Sequence, residues 1–294
     1  MSKRLVVSKQ RQPSDDKSFL DMWLHGKAEK TQRAYITDMR KFYAFVGKSL
    51  QDVTLADFQG FIDSLVDLKP TSRNRAIATV KSALSFGVKT GWLKVNIGIV
   101  VKLPKVEDTL AERIMSEQSI ARMLAKEDNP RNHAILVLLY RAGLRAHELC
   151  NLQWRHLRER GEAGQIAIFG KGKKTRFVLL DKATWEELQT LKPLTVEPGM
   201  YVFQSRQARS RTAERKHRMD EYSIHLIIRK AAKRAGIAGN VSPHWMRHAH
   251  ATHSLENGAP ISLVQSTLGH KSMETTAKYT HVRPNASSGQ YLKV

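Results

Sequence analysis

Cysteine is nearly absent from this sequence: one of 294 residues, Cys150, carries a thiol. That excludes an internal disulfide and a cysteine-rich zinc module. No apolar run approaches the roughly 20 residues that a membrane-spanning helix needs. The opening "MSKRLVVSKQRQPSDDK" is basic and then polar, without the apolar stretch of a secretory signal. Acidic residues are scarce as well, with 27 Asp and Glu against 49 Lys and Arg. Those present, as in "DMWL", "ITDM" and "DEY", are scattered. A metal-dependent nuclease needs them clustered around its ion. These absences point to a cytoplasmic protein whose chemistry does not rest on carboxylate-bound metal.

Positive charge is what the sequence has in excess. The formal net charge is +22. Such an excess attracts polyanions, and the counterions released on contact drive binding. Nucleic acid is the first partner to consider, ahead of an anionic membrane surface or an acidic protein. Hydrophobic residues make up 41% of the chain, enough for real cores in one large domain or two moderate ones.

The pattern along the chain predicts four parts. Residues 1–16 read as a flexible basic arm. Residues 17–101 read as a helical domain. "KTQRAYITDMRKFYAFVG" places Tyr35, Met39, Phe42 and Val46 on one stripe, and Gly47 is a stop signal. In "TLADFQGFIDSLVD", Thr54 is the expected N-cap, with Asp57 three residues on. Residues 102–114, which include "KLPKVEDTLAER", read as a linker. Residues 115–294 read as a second domain. Ser116 is its first cap, "NHAILVLLYRAGLRAHELCNLQW" a core helix ending near Leu149, and "GQIAIFGKGKKTRFVLL" a β-hairpin. The expected fold class is mainly α, with a small antiparallel sheet in the second domain.

The stretch "SPHWMRHAHATHS" holds four histidines, His244, His248, His250 and His253. A metal cage is one reading, but no cysteine or well-placed carboxylate completes it. Pro243 suits the first turn of a helix with Ser242 near its cap. His244 and Arg247 would then share a face.

Four segments in order, "RAGLRAHELCNLQW", "GKGKKTRFVLL", "SPHWMRHAHATH" and "LGHKSMETTAKYTHV", resemble the tyrosine recombinase (phage integrase) family. Their motifs are similar to those of Xer-type site-specific recombinases. The resemblance covers about Ser116 to Val282. It extends more weakly to "KTQRAYITDMRKFYAFV", which is similar to the family's core-binding domain. It implies the fold shared with type IB topoisomerases and a catalytic set of Arg145, Lys171, His244, Arg247, His270 and Tyr279, with Glu148 in support.

In that reading Tyr279 attacks phosphorus and holds a 3′-phosphotyrosine. Arg145 and Arg247 fork onto the phosphoryl oxygens, a geometry that suits guanidinium. Lys171 protonates the departing 5′ oxygen, His244 assists proton transfer, and His270 donates to the phosphoryl oxygen. The covalent link conserves the ester energy, so rejoining needs neither ATP nor a cofactor. Implied partners are duplex DNA carrying a recombination site and three further copies in a tetramer. The implied location is the bacterial nucleoid or a plasmid.

Several positions carry a second reading. Lys173 and Lys174 stand beside Lys171 and suit a phosphate equally well. The loop 206–218, with Arg206, Arg209, Arg211, Arg215, Lys216 and Arg218, either tracks a DNA backbone or is a solvated insertion. Arg73, Arg75 and Lys81 are either DNA contacts or ordinary helix surface. Cys150 is expected to be a packed core thiol. His248 and His253 are expected to pack or to make supporting hydrogen bonds, and His250 to be exposed. The rival to Tyr279 is Tyr291, near the terminus and without the motif. After Tyr279 the chain departs from the family's C-terminal helix, and the apolar "YLKV" is expected to dock on a neighbouring protomer. Two other functions stay open on sequence: a type IB topoisomerase, and a non-catalytic DNA-binding regulator.

Overall fold

The computed structural model describes residues 13–104, 114–169, 175–197, 199–205, 218–270, 272–277 and 279. The chain divides into two compact units, Met1–Glu107 and Asp108–Val294.

The first unit is built from α1 (Asp16–Leu24), α2 (Glu29–Val46), α3 (Leu55–Asp63) and α4 (Pro70–Lys89). Local chemistry sets most of the ends. Gly47 stops α2 in the left-handed conformation at φ 65°, which costs glycine little. Thr54 and Asp57 close a reciprocal capping box on α3. Pro70 occupies the first turn of α4, where its missing N–H is no loss. Phe19, Phe42, Phe58, Phe61, Ile77 and Val80 are fully buried between the helices. The Phe42 ring meets Phe61 edge-on with centroids 5.0 Å apart, a favoured aromatic geometry. Its one buried carboxylate among the described residues, Asp38, receives Arg75 at 3.0 Å and the Thr79 hydroxyl at 3.1 Å.

The second unit begins with α5 (Glu117–Ala125), α6 (Pro130–Arg141) and α7 (Ala146–Cys150). A three-stranded antiparallel sheet follows: β1 (Leu157–Arg160), β2 (Ala163–Phe169) and β3 (Thr175–Leu180), in that spatial order. Ile166 pairs with Val178 on the buried face, where Ile168 and Leu180 also lie. Then come α8 (Lys182–Thr190), α9 (Glu221–Arg234), α10 (Pro243–Glu256), α11 (Ile261–Leu268) and α12 (Met273–Ala277). Helix α10 is central, packed on α5, α6, α9 and α11. Cys150 lies in this core, and burial pushes its thiol up to about 12, so it is an inert packing group.

Two sequence expectations need correction. The apolar run from Asn132 is not one helix ending near Leu149. It breaks after Arg141 and restarts as α7, with Gly143 at φ 58° in the break. His250 is not exposed. It is half-buried, with Nδ1 2.7 Å from the Tyr140 carbonyl. The sheet also has one strand more than the expected hairpin, and α8 was not foreseen.

Candidate active site

The break at Gly143 presents Arg145. A Cβ at Gly143 would sit 2.8 Å from Leu268 and 2.9 Å from His250, so the chain turns where only glycine fits. Two residues on, Arg145 is the N-cap of α7, and Glu148 is the third residue of that helix. The Arg145 backbone N–H donates to Glu148 Oε2 at 2.8 Å, and its Nη1 donates to Oε1 at 2.9 Å. Strand β3 contributes Arg176, whose Nη1 and Nη2 fork onto the same carboxylate at 2.7 and 2.8 Å. Burial raises the pKa of Glu148, but the hydrogen bonds and charge of Arg176, then Arg145, outweigh it and hold the carboxyl down at about 2. Glu148 is therefore an anion between two cations at neutral pH. The Arg145 side chain is 30% exposed against 3% for Glu148. Of the two, Arg145 faces outward.

The end of α11 gathers three guanidinium groups. The last carbonyls of a helix have no partner within it and form its negative end. Here three in succession are taken by arginines. Arg176 Nε donates to the Thr267 carbonyl at 2.8 Å, Arg247 Nη2 to that of Leu268, and Arg145 Nη2 to that of Gly269 at 3.5 Å. Arg247, from the first turns of α10, also donates through Nη1 to the Gly143 carbonyl. It is 4% exposed. Burial, then the neighbouring charge of Arg145, lowers its pKa to about 9, which leaves it a cation at pH 7.

The other side of the site is aromatic. Tyr279 is buried against Ala251, Val264 and Leu268. Its hydroxyl lies 2.7 Å from His248 Nδ1. The His270 ring is nearly parallel to the Tyr279 ring at 6.4 Å, and His244 stacks on His248 at 5.9 Å. His270 Nδ1 lies 2.9 Å from the Thr276 hydroxyl. Burial, then the charges of Arg247, Arg145 and Arg176, presses the His270 pKa down to about 4, so it is neutral near pH 7. Partial desolvation, then Arg247 and Arg145, lowers that of His244 as well. Ser272 supports the approach to Tyr279 by accepting the Glu274 N–H at 3.1 Å.

The fold thus brings Arg145, Glu148, His244, Arg247, His270 and Tyr279 into one region around the ends of α7, α10 and α11. Lys171, Lys173, Lys174, Arg206, Arg209, Arg211, Arg215 and Lys216 lie outside the described residues, as do Tyr291 and the "YLKV" segment. Arg218 is described, and its Nη1 donates to Asn151 Oδ1 at 2.5 Å. In the first unit Arg75 is held by Asp38, Lys81 donates to the Val101 carbonyl, and Arg73 is half-buried on the same helix. One residue of the site, Arg176, was not picked out by sequence. Arg176 is one cation among several in "KGKKTRF", and its alternation with buried Val178 was the available signal. His248, four residues after His244 on the same helix face, is expected from sequence to pack or to make a supporting hydrogen bond, and it does bond the Tyr279 hydroxyl. Among the described residues no group of three or more His, Cys, Asp and Glu is placed to hold a metal ion.

A two-unit chain with a three-stranded sheet and this arginine–histidine–tyrosine cluster falls in a defined class. The phage integrase family matches residues 111–286, and the phage integrase N-terminal SAM-like domain matches residues 17–91. The chain belongs to the phage integrase family, the family of the tyrosine recombinases. It is 31% identical over 270 residues to tyrosine recombinase XerC of Thermodesulfovibrio yellowstonii, covering 87% of each chain. It is 32% identical over 273 residues to tyrosine recombinase XerD of Shewanella oneidensis, covering 89% of each. Among solved structures, XerH recombinase bound to its palindromic difH substrate has the same fold. The TM-score is 0.70 at 17% identity, over 92% of this chain and 82% of that one. No helix among the described residues is long and apolar enough to cross a membrane.

Proposed function

We propose that this chain is a site-specific recombinase that cuts and rejoins duplex DNA through a 3′-phosphotyrosine at Tyr279. One observation carries the proposal. The Tyr279 hydroxyl is held 2.7 Å from His248 on α10, the helix that also bears His244 and Arg247. The Tyr279 oxygen attacks phosphorus while its proton passes to His248 Nδ1. The bond from phosphorus to the 5′ oxygen breaks, and Lys171 protonates the leaving oxygen. Arg145 and Arg247 bear the charge that develops on the phosphoryl oxygens. We take His270 Nδ1, 2.9 Å from the Thr276 hydroxyl, as the acceptor of that pair, which puts the ring proton on Nε2 as a neutral donor to the same oxygens. His244 assists the proton transfers from its stacked position on His248. The released 5′ hydroxyl, or that of a second duplex, reverses the step without ATP or a cofactor. Relatives named as tyrosine recombinases and neighbours solved on recombination-site DNA support the substrate class. The assembly expected is a tetramer on two sites in the bacterial nucleoid or on a plasmid. The helical first unit would serve as a second DNA-binding element, and loop 206–218 would lie along the backbone.

The test is covalent trapping. A binding sequence is selected from a random duplex pool and rebuilt as a nicked suicide duplex, and the reaction is run in EDTA. Wild type should give a protein–DNA adduct on a denaturing gel, and Tyr279→Phe none. An adduct that survives in Tyr279→Phe would move the nucleophile elsewhere. No adduct under any condition would favour a DNA-binding regulator. Exchange between two sites on a plasmid separates a recombinase from a topoisomerase, which would relax the plasmid without exchange.

A further inference from the structure

We infer that Arg176 is a positioning residue for the reaction, resting on the recombinase reading above: it engages Glu148 so that Arg145 stays free to meet the phosphate. Glu148 has two oxygens, and both receive Arg176. Arg145 has only one side-chain bond to that carboxylate, at 2.9 Å, and a long one to the Gly269 carbonyl at 3.5 Å. Arg145 is therefore loosely tethered and Arg176 firmly held. The third bond of Arg176, from Nε to Thr267, fixes its fork against α11. A Cβ at Gly269 would lie 3.0 Å from the Arg176 side chain and 3.2 Å from its Nη1. Gly269 is at φ 63°, so α11 ends on a glycine that leaves room for this guanidinium. Arg176 is 14% exposed, and Arg145 30%. The more buried cation neutralises the carboxylate, and the more exposed one faces the substrate.

The charge count explains why the arrangement matters. Arg145, Arg176 and Arg247 against Glu148 sum to two net positive charges (3 − 1). Without Arg176 the sum falls to one, and the buried Glu148 anion draws Arg145 inward to compensate. Removing the carboxylate as well restores two. A merely structural role for Arg176 makes the opposite prediction, because deleting a second buried partner would add to the damage.

The experiment measures single-turnover cleavage of the suicide duplex at saturating protein, together with DNA affinity and thermal unfolding. Arg176→Met should cleave about 100-fold more slowly, the scale of a misplaced reacting group, while DNA affinity changes less than about threefold. Arg176→Met combined with Glu148→Gln should recover at least about tenfold over Arg176→Met, as sites acting as one unit are non-additive. Arg176→Lys keeps the charge and loses the fork, and should fall about tenfold with little change in unfolding temperature. Cleavage by Arg176→Met close to wild type, or a double variant no better than the single, overturns the inference. If Arg176→Met does not fold, a wild-type rate in Arg176→Lys overturns it and a slowed rate in that folded variant supports it. Failure of wild type to form any adduct would instead remove the recombinase reading itself.

Discussion

The two units bury charge in different ways. The core of the first is a cluster of aromatic rings, and its one buried carboxylate among the described residues, Asp38, is matched by Arg75 and Thr79 on a neighbouring helix. The second buries Glu148 and Arg247 beside a tyrosine hydroxyl, and spends three arginines on the end of one short helix. A buried ion pair alone seldom adds stability over an apolar pair of the same size. In the first unit the pair fixes how α2 meets α4. In the second, three arginines stand against one buried carboxylate, so positive charge is left over.

The largest expected effect sets these two kinds of buried charge against each other. Arg247→Met should reduce suicide-duplex cleavage by at least about 1,000-fold, the scale of losing a main stabiliser of transition-state charge. It also leaves the Gly143 and Leu268 carbonyls without that donor. Asp38→Asn should instead lower stability by about 1–3 kcal/mol and leave cleavage per folded molecule within about threefold of wild type. Equal losses of cleavage in the two variants would end the distinction. Both are read by single-turnover cleavage and urea unfolding.

Two glycines sharpen it further. Gly47 and Gly143 have nearly the same left-handed backbone, φ 65° and 58°. Nothing lies within 4 Å of a Cβ at Gly47, whereas a Cβ at Gly143 meets Leu268 and His250. Gly47→Ala should therefore cost only the conformational strain, about 1 kcal/mol, with cleavage unchanged. Gly143→Ala should cost about 2–3 kcal/mol and slow cleavage too, because the carbonyl that receives Arg247 shifts. Unfolding curves and cleavage rates of the two variants check this.

Acid gives the smallest effect. His250 and His270, both in the second unit, have pKa values near 4. Burial lowers both, with Arg247 next for His270, while the Tyr140 carbonyl only partly offsets it for His250. Unfolded histidine titrates near 6.5. Between these values the unfolded chain binds more protons, so stability rises with pH and is lost as pH falls from about 6.5 to about 4. In the first unit Asp57, held near 2 chiefly by Lys48 and Thr54, titrates below that window. Amide exchange corrected for intrinsic rates, compared at pH 7 and 4.5, should show protection lost in the second unit first. His250→Gln should weaken that dependence.

What sequence made legible follows the same line. Caps and stops at Gly47, Thr54 and Ser116 are local events, and local residues decide them. The family motifs pointed in order to Arg145, His244, Arg247, His270 and Tyr279, which the fold gathers in one region. The break at Gly143 escaped because "LVLLYRAGLRAHEL" is apolar at helical spacing on both sides. Only contacts with Leu268, His250 and Arg247, all more than a hundred residues away, reveal the turn. β1 and α8 escaped for a different reason. "LRER" lacks the branched and aromatic residues of a strand, and its pairing with β2 is what makes it one. Arg176 escaped because charge alone does not distinguish one cation in a basic segment from the next.

The run of carbonyls at Thr267, Leu268 and Gly269 has one further consequence. Like charges packed this closely would normally spread apart or recruit ions from solution. Here the main chain itself plays the counterion, lending oxygen to each guanidinium before any DNA arrives. Arg176 and Arg247 are thus pinned by backbone oxygen, while Arg145, on the longest of the three bonds, keeps the most play.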